Sequence, residues 1–432
     1  MRRIFNFNRE WKKIKPPKIK NKQVDFENST LIGYTGRKPV YIPDNANHMF
    51  ICGTTGSGKT VAISNFIKHI IEKDYPGLII DGKGDIGDGS ILDITTKMCS
   101  ESGKKLYVIN LSDVEQSDQY NPFKSASPTM AKDMLINMTD WSEQHYKLNA
   151  ERYIQRILQM LELAKIEFSF KRIVKCLSGD KFTEISTHLM TKGIISKEEH
   201  SENLEMLKTS GKIAQGSTAR FSTIAEGELK NVLTEDGVDI SQAMKENAII
   251  LFVLNPLVYP ELSPAFGRLI LIDAKQSIGT LFKAKIPRTF FVMDEISTYA
   301  TTGLVDLVNK SRSANVTCVL ATQSLSDLDF ACGEAYKEQI IENCNNYLLM
   351  RQNSGVNAEH WAKILGTINK MEVTYQLQQK GLDTAETGYG SAKRVREFRY
   401  HPDDIKELQI GKGIYLSRDR NFKAKLNINK PF

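Results

Sequence analysis

The chain has 432 residues, of which 41% are hydrophobic and 25% charged, with 58 Lys and Arg against 51 Asp and Glu. This is the composition of a soluble globular protein with a core of ordinary size, at a length that implies two domains or one large α/β domain carrying an insertion. The net charge of +7 permits an anionic partner without requiring one. No apolar run approaches the ~20 residues of a membrane helix, and the longest apolar stretch, Ala248 to Tyr259, is interrupted by Asn255-Pro256.

The chain opens on a basic stretch in which Arg2, Arg3, Arg9, Lys12, Lys13, Lys15, Lys18, Lys20 and Lys22 are opposed only by Glu10. It reads either as a solvated arm or as a segment lying on anionic lipid or DNA, where each basic residue contributes about 1 kcal/mol near a charged membrane. No apolar segment follows it, so it is not a secretory signal. The six cysteines, Cys52, Cys99, Cys176, Cys318, Cys332 and Cys344, form no C-x-x-C pair and read as reduced thiols of a cytosolic protein.

Short β-rich runs then recur: His48 to Gly53, Gly77 to Asp81, Lys105 to Asn110, Ala248 to Leu254, Arg288 to Asp294, Val316 to Thr322, Tyr347 to Met350 and Gly413 to Leu416. Most end on a polar residue or glycine, as buried parallel strands do. Helical patterns at Val61 to Lys73 and Leu304 to Ser313 separate some of them. The alternation predicts a mostly parallel sheet covered on both faces. Residues 125–242 break it: Tyr153, Ile157, Leu158, Leu161, Leu163 and Ala164 repeat with helical spacing, which predicts an inserted all-α domain. Gln379 to Lys393, with Gly381, Gly388 and Gly390, reads as a mobile loop.

The chemistry starts at Gly53-Thr54-Thr55-Gly56-Ser57-Gly58-Lys59-Thr60, which satisfies G-x-x-x-x-G-K-[ST] between a strand and an amphipathic helix. There the glycines let consecutive backbone N–H groups face the phosphates of ATP, Lys59 neutralises the β and γ phosphates, and the Thr60 hydroxyl is a ligand of Mg2+. Phe290 to Glu295 is an apolar strand that ends in paired acids. Asp294 is expected to hold Mg2+ through water and Glu295 to polarise the attacking water. Gln323, ending the next strand, is placed to sense the γ-phosphate by switching hydrogen bonds. Arg312 is expected to act as an arginine finger toward a neighbouring subunit's γ-phosphate, with Arg351 a weaker competitor. No guanine-reading N-K-x-D stands in a suitable place, and the strands after Asp294 fit the RecA-like division of P-loop NTPases.

With these pieces the sequence resembles the type IV coupling proteins of conjugation and type IV secretion, the TraG/TraD group within the FtsK–HerA class of DNA-pumping ATPases. The resemblance rests on the P-loop, on Asp81-Gly82-Lys83-Gly84-Asp85 and on Tyr120-Asn121-Pro122-Phe123. It rests also on Asp294-Glu295 followed by Arg312-Ser313 and Ala321-Thr322-Gln323-Ser324, and on Ala362 to Gly366 and His401-Pro402-Asp403-Asp404-Ile405. It spans residues 30 to 418 approximately.

The resemblance implies a RecA-like nucleotide-binding domain made of residues 31–124 and 243–432, preceded by the basic arm 1–30. It implies that the all-α domain 125–242 faces the DNA entrance of a homo-hexameric ring whose ATP sites are shared between subunits, with Arg312 acting in trans. It also implies ATP-driven translocation of single- or double-stranded DNA, with partners among relaxase or relaxosome proteins, effector proteins and type IV secretion channel components, at the cytoplasmic face of a membrane. Family members usually begin with membrane helices and this sequence shows none. It reads as the cytosolic part of a longer protein or as a natural member without the anchor, and it is expected as a homo-hexamer when assembled and a monomer in isolation. Two other functions fit the motifs: a pump of the same class for segregation, packaging or defence, and an ATP-binding receptor platform with negligible turnover.

Overall fold

A computed structural model describes residues 25, 27–45, 48–141, 143–281, 287–380 and 383–432. The basic stretch Arg2 to Lys22 lies outside the described residues. The strands are β1 Ser29–Thr35, β2 Lys38–Pro43, β3 Met49–Cys52, β4 Gly77–Asp81, β5 Leu106–Asn110, β6 Ile249–Val253, β7 Thr289–Asp294, β8 Val316–Thr322, β9 Asn346–Leu349, β10 Thr367–Lys380, β11 Asp383–Phe398, β12 Lys412–Ser417 and β13 Phe422–Ile428. All eight expected β-rich runs are strands.

Eleven strands form one sheet in the order β2-β1-β13-β12-β9-β3-β8-β7-β4-β6-β5. From β9 to β5 every pairing is parallel, and β12, β13, β1 and β2 extend the sheet antiparallel. The parallel strands are hydrophobic throughout because both faces are covered, and successive residues divide between them. Ile51, Ile79, Val292 and Val319 pack with Ile63, Phe66, Ile67 and Ile70 of the helix Lys59–Glu72. Phe50, Ile80, Phe291 and Leu320 face the other core, which holds Phe266, Leu269 and Ile270 of the helix Leu262–Leu281. Phe66 is 1% exposed, and burying a side chain of that size stabilises the fold by about 2–3 kcal/mol.

The interval between β5 and β6 is helical: Pro128–Met138, Gln144–Leu163, Phe170–Leu177, Asp180–Thr191, Lys197–Met206, Lys212–Glu226 and Ile240–Lys245. Ser127 and Ser196 start two of these helices as N-caps, the second with Glu199 closing a capping box. Helix Gln144–Leu163 buries Tyr153, Ile157, Leu158 and Leu161 as their spacing predicts, whereas Leu163 is 43% exposed because it lies in the last turn, beyond the contact. The core of this run is continuous with one face of the sheet.

Tyr120 and Asn121 pin the entry and exit of the helical run together. The Tyr120 and Asn121 N–H groups donate to the Val232 and Val238 carbonyls over 2.8 and 2.9 Å. The Asn121 amide donates to the Phe168 and Glu235 carbonyls over 3.0 and 3.1 Å.

The reading of Gln379 to Lys393 as a loop is corrected. β10 and β11 pair antiparallel from Thr367↔Phe398 to Lys380↔Asp383, with an irregularity between Tyr375 and Leu377. Turn-forming glycines suggested a loop, but the flanking run Met371 to Leu377 alternates and carries Val373, Thr374 and Tyr375, which favour a strand. The register shift beside Gly390 absorbs Gly388 and Gly390 within the ribbon, and Gly381 lies outside the described residues. No helix among the described residues is long and apolar enough to cross a membrane.

Candidate nucleotide site

The parallel register aligns the strand ends that carry the chemistry. Cys52, which precedes the P-loop, sits opposite Thr322 on one side and Leu349 on the other. Asp81 sits opposite Asp294. Residues 53–60, 81–85, 294–295 and 322–323 therefore meet at one edge of the sheet, where open parallel sheets place their ligands.

The P-loop leaves β3 and turns into helix Lys59–Glu72 through Gly58, whose φ of +104° is accessible to glycine but strained for other residues. No side chain caps the first N–H groups of this helix, so they remain available to an anion. Lys59 is 3% exposed, and its ammonium donates across the loop to the Gly53 carbonyl. Burial, reinforced by the nearby charge of Lys83, holds its pKa below the ordinary lysine value. The Thr54 N–H donates to the Arg351 carbonyl over 3.0 Å. The Thr55 hydroxyl donates to Gln323 Oε1 over 3.0 Å.

Asp294 and Glu295 are 1% and 7% exposed. Glu295 has φ +45°, a left-handed conformation uncommon outside glycine that turns its side chain back over the strand ends. Its Oε1 accepts from the Ser297 hydroxyl at 2.8 Å, the Gln323 N–H at 3.3 Å and the Thr322 hydroxyl at 3.4 Å. Its Oε2 is buried with no donor. One oxygen is thus anchored by three donors while the other is left to receive a proton or a water.

Both Asp294 oxygens lack a hydrogen-bond donor, although Lys83 Nζ forms an ion pair with Oδ2 at 3.3 Å. Thr60, Asp81, Lys83 and Asp294 line one cavity of about 250 Å³. The buried carboxylate oxygens without donors, with the Thr54 hydroxyl in the same state, are the groups that a metal–nucleotide complex and its waters would satisfy. The residues present fit Mg2+ and a nucleotide.

Asp81 and Lys83 were visible in the sequence as a motif but had no role in the expected site. Asp81 Oδ1 accepts from the Lys83 and Gly84 N–H groups over 3.0 and 3.3 Å. Burial and then the adjacent Asp294 push its carboxyl up to about 7. Burial alone would lower the Lys83 ammonium, but Asp294 and Glu295 outweigh it and hold its pKa above the usual lysine value. The available signal was positional, since Asp81 ends an apolar strand as Asp294 does, with Lys83 two residues beyond it.

Arg312 does not join this site. It is exposed in the turn Arg312–Ala314 immediately before β8, whereas the P-loop faces the far end of that strand. Its charge instead acts, after burial, to hold His48 at about 4. His48 accepts from the Cys318 N–H at 3.0 Å through Nδ1 and lies 2.8 Å from the Val308 carbonyl through Nε2. Arg351 lies beside the P-loop, and its Nε is buried without a partner.

An eleven-stranded sheet with P-loop, paired acids and Gln323 on one edge defines a RecA-like P-loop NTPase with a large helical run between β5 and β6. The family model of the central domain of helicase HerA matches residues 30–250. The model of the TraM recognition site of TraD and TraG matches residues 288–409. The chain belongs to the HerA family of P-loop NTPases, and its residues 288–409 resemble the TraD and TraG domain.

The bacterial conjugative coupling protein TrwB, in its deltaN70 unbound form, has the same fold, with a TM-score of 0.65 at 16% identity over 93% of this chain and 89% of that one. TrwB in complex with ADP and Mg2+ superposes with a TM-score of 0.62, at 16% identity over 91% and 88% of the two chains. VirB4 of Thermoanaerobacter pseudethanolicus gives 0.57 at 12% identity over 94% and 98%. An uncharacterised protein of Mycoplasma pneumoniae is 30% identical over 100 residues, covering 23% of this chain and 67% of its own length.

Proposed function

We propose that this chain is an ATP-hydrolysing DNA translocase that couples a relaxase–DNA or protein substrate to a type IV secretion channel. The observation that carries the reading is Glu295, buried beside the P-loop with Oε1 anchored by three donors and Oε2 left open. A platform that only binds nucleotide has no need of a carboxylate prepared in this way. The match to the TraM recognition site supports the relaxosome as partner.

In this proposal residues 53–60 bind the phosphates of ATP through backbone N–H groups, and Lys59 leaves the Gly53 carbonyl to pair with the β and γ phosphates. Thr60 and Asp294 would hold Mg2+, which neutralises charge on the phosphate oxygens when bound. Glu295 Oε2 accepts the proton of the attacking water while Thr322, Ser297 and the Gln323 N–H fix Oε1. The Gln323 amide exchanges its bond with Thr55 for one toward the γ-phosphate. Arg312, in the turn before β8 and at the end of that strand opposite the P-loop, completes the site of a neighbouring copy in a hexameric ring. Residues 125–242 act as an all-α domain that receives DNA, and residues 31–124 with 243–432 act as the nucleotide-binding body. The ring works at the cytoplasmic face of a membrane.

The test is nucleotide hydrolysis with and without single- and double-stranded DNA across a salt series. The expected rate rises with DNA and falls steeply with salt, because gripping phosphates releases counter-ions. Lys59→Ala should abolish both hydrolysis and transfer. Normal transfer by that variant would leave the platform reading in place of the motor.

A further inference from the structure

None of the steps above uses Lys83, although its ammonium forms an ion pair with the carboxylate expected to hold the metal. It stands 3.3 Å from Asp294 Oδ2, and its side chain is 23% exposed. Its backbone is fixed independently of that contact. Asp81 Oδ1 receives the Lys83 and Gly84 N–H groups. A Cβ on Gly84 would lie 1.7 Å from the Leu254 carbonyl, so the turn packs its backbone directly against the end of β6. The turn therefore delivers a fixed positive charge into the cavity lined by Thr60, Asp81 and Asp294.

Without that charge, Lys59 would be left to offset the buried Asp294 carboxylate, and Lys59 is engaged by the Gly53 carbonyl. A buried carboxylate whose oxygens accept no hydrogen bond attracts any cation that reaches it in a low-dielectric setting. An ammonium already on Asp294 competes with any divalent ion for the same oxygen.

We propose that Lys83 is a resident counter-ion of Asp294 that keeps free divalent cations out of the site until they arrive bound to nucleotide. Phosphate oxygens entering with the metal give the displaced ammonium a new partner, so exchange is favourable only when both arrive together. Free metal offers Lys83 nothing in return and is rejected. The inference rests on the nucleotide-site reading and adds an order of loading to it.

The experiment compares the chain with Lys83→Met and Lys83→Gln, which remove the charge, and Lys83→Arg, which keeps it. Thermal unfolding is followed against Mg2+ or Mn2+ alone, and binding of a fluorescent ATP analogue is measured separately. The expected result is metal-only stabilisation in Lys83→Met and Lys83→Gln at concentrations about tenfold below any effect on the unmodified chain, with Lys83→Arg unchanged from it. The same metal response in all four proteins would overturn the proposal, provided that the unmodified chain binds the analogue. Failure of the unmodified chain to bind it would instead overturn the nucleotide site itself. If one charge-removing variant does not fold, the other carries the comparison. If neither folds with or without metal, Lys83 is a structural cation and the proposal falls.

Discussion

The Thr55 hydroxyl donates to Gln323 Oε1 over 3.0 Å, joining the P-loop to the end of β8. The Gln323 N–H simultaneously donates to Glu295 Oε1 over 3.3 Å. One residue thus touches the phosphate loop with its side chain and the general-base candidate with its backbone. Gln323→Ala keeps the backbone bond and removes the side-chain one. Its kcat should fall about 10–100-fold while KM changes little, because the lost contact belongs to the hydrolytic step. Steady-state hydrolysis decides this.

Glu295→Gln retains the shape of the side chain and the bonds to Oε1 but cannot take a proton. Hydrolysis should drop about 10²–10⁴-fold. Nucleotide affinity, measured with a fluorescent analogue, should stay within a few-fold of the unmodified protein.

Gly84 has φ +75°, and a Cβ there would lie 1.7 Å from the Leu254 carbonyl. Gly87 has no atom within 4 Å of its would-be Cβ. Gly84→Ala should therefore destabilise the fold by about 3 kcal/mol or more, and Gly87→Ala by less than about 1 kcal/mol. Denaturant melts of the two variants provide the check.

Asp273, on the helix Leu262–Leu281, accepts from the Tyr120 hydroxyl at 2.6 Å and the Ser277 hydroxyl at 3.0 Å. Burial pushes its carboxyl up to about 7 from an ordinary 3.8. Between those values the folded chain holds a proton that the unfolded chain has lost. Its stabilising contribution is therefore complete below about pH 4 and is lost as pH rises toward 7, at no more than about 1.4 kcal/mol per pH unit. Asp81, also raised to about 7, acts in the same direction. Asp273→Asn should show a shallower fall in stability over this interval, measured by urea unfolding at several pH values.

Arg312 and Lys59 belong to opposite ends of the parallel strands. If adjacent subunits share a site, Arg312→Ala and Lys59→Ala are each inactive alone. Mixing the two should then restore a measurable fraction of hydrolysis, since some interfaces pair an intact P-loop with an intact arginine. No recovery in assembled mixtures would place Arg312 outside the reaction, with Arg351, beside the P-loop, as the next arginine to remove.

Much of this was legible from residue order. A P-loop must follow a strand and open a helix, so Gly53 to Thr60 placed β3 and the helix Lys59–Glu72 together. Hydrophobic runs located the parallel strands because burial on both faces leaves no polar alternation to confuse them. The β10–β11 ribbon was not legible, because its glycines read as turn formers and cross-strand pairing is not a local property. The role of Tyr120 and Asn121 in closing the neck of the helical run was hidden too, since their partners lie more than a hundred residues away in Val232 and Val238.

By itself the sequence determined the local order: where the P-loop stands, which carboxylates end a strand, and that the sheet is mostly parallel. These follow from local spacing and burial pattern. Only the tertiary structure decided which charges meet. Strand order put β4 beside β7, and that adjacency set Lys83 on Asp294. The direction of β8 carried Gln323 to the P-loop and Arg312 to the opposite end. Electrostatic pairing depends on distance in space, and the lateral order of strands in a sheet is fixed by long-range packing that no short window of sequence contains.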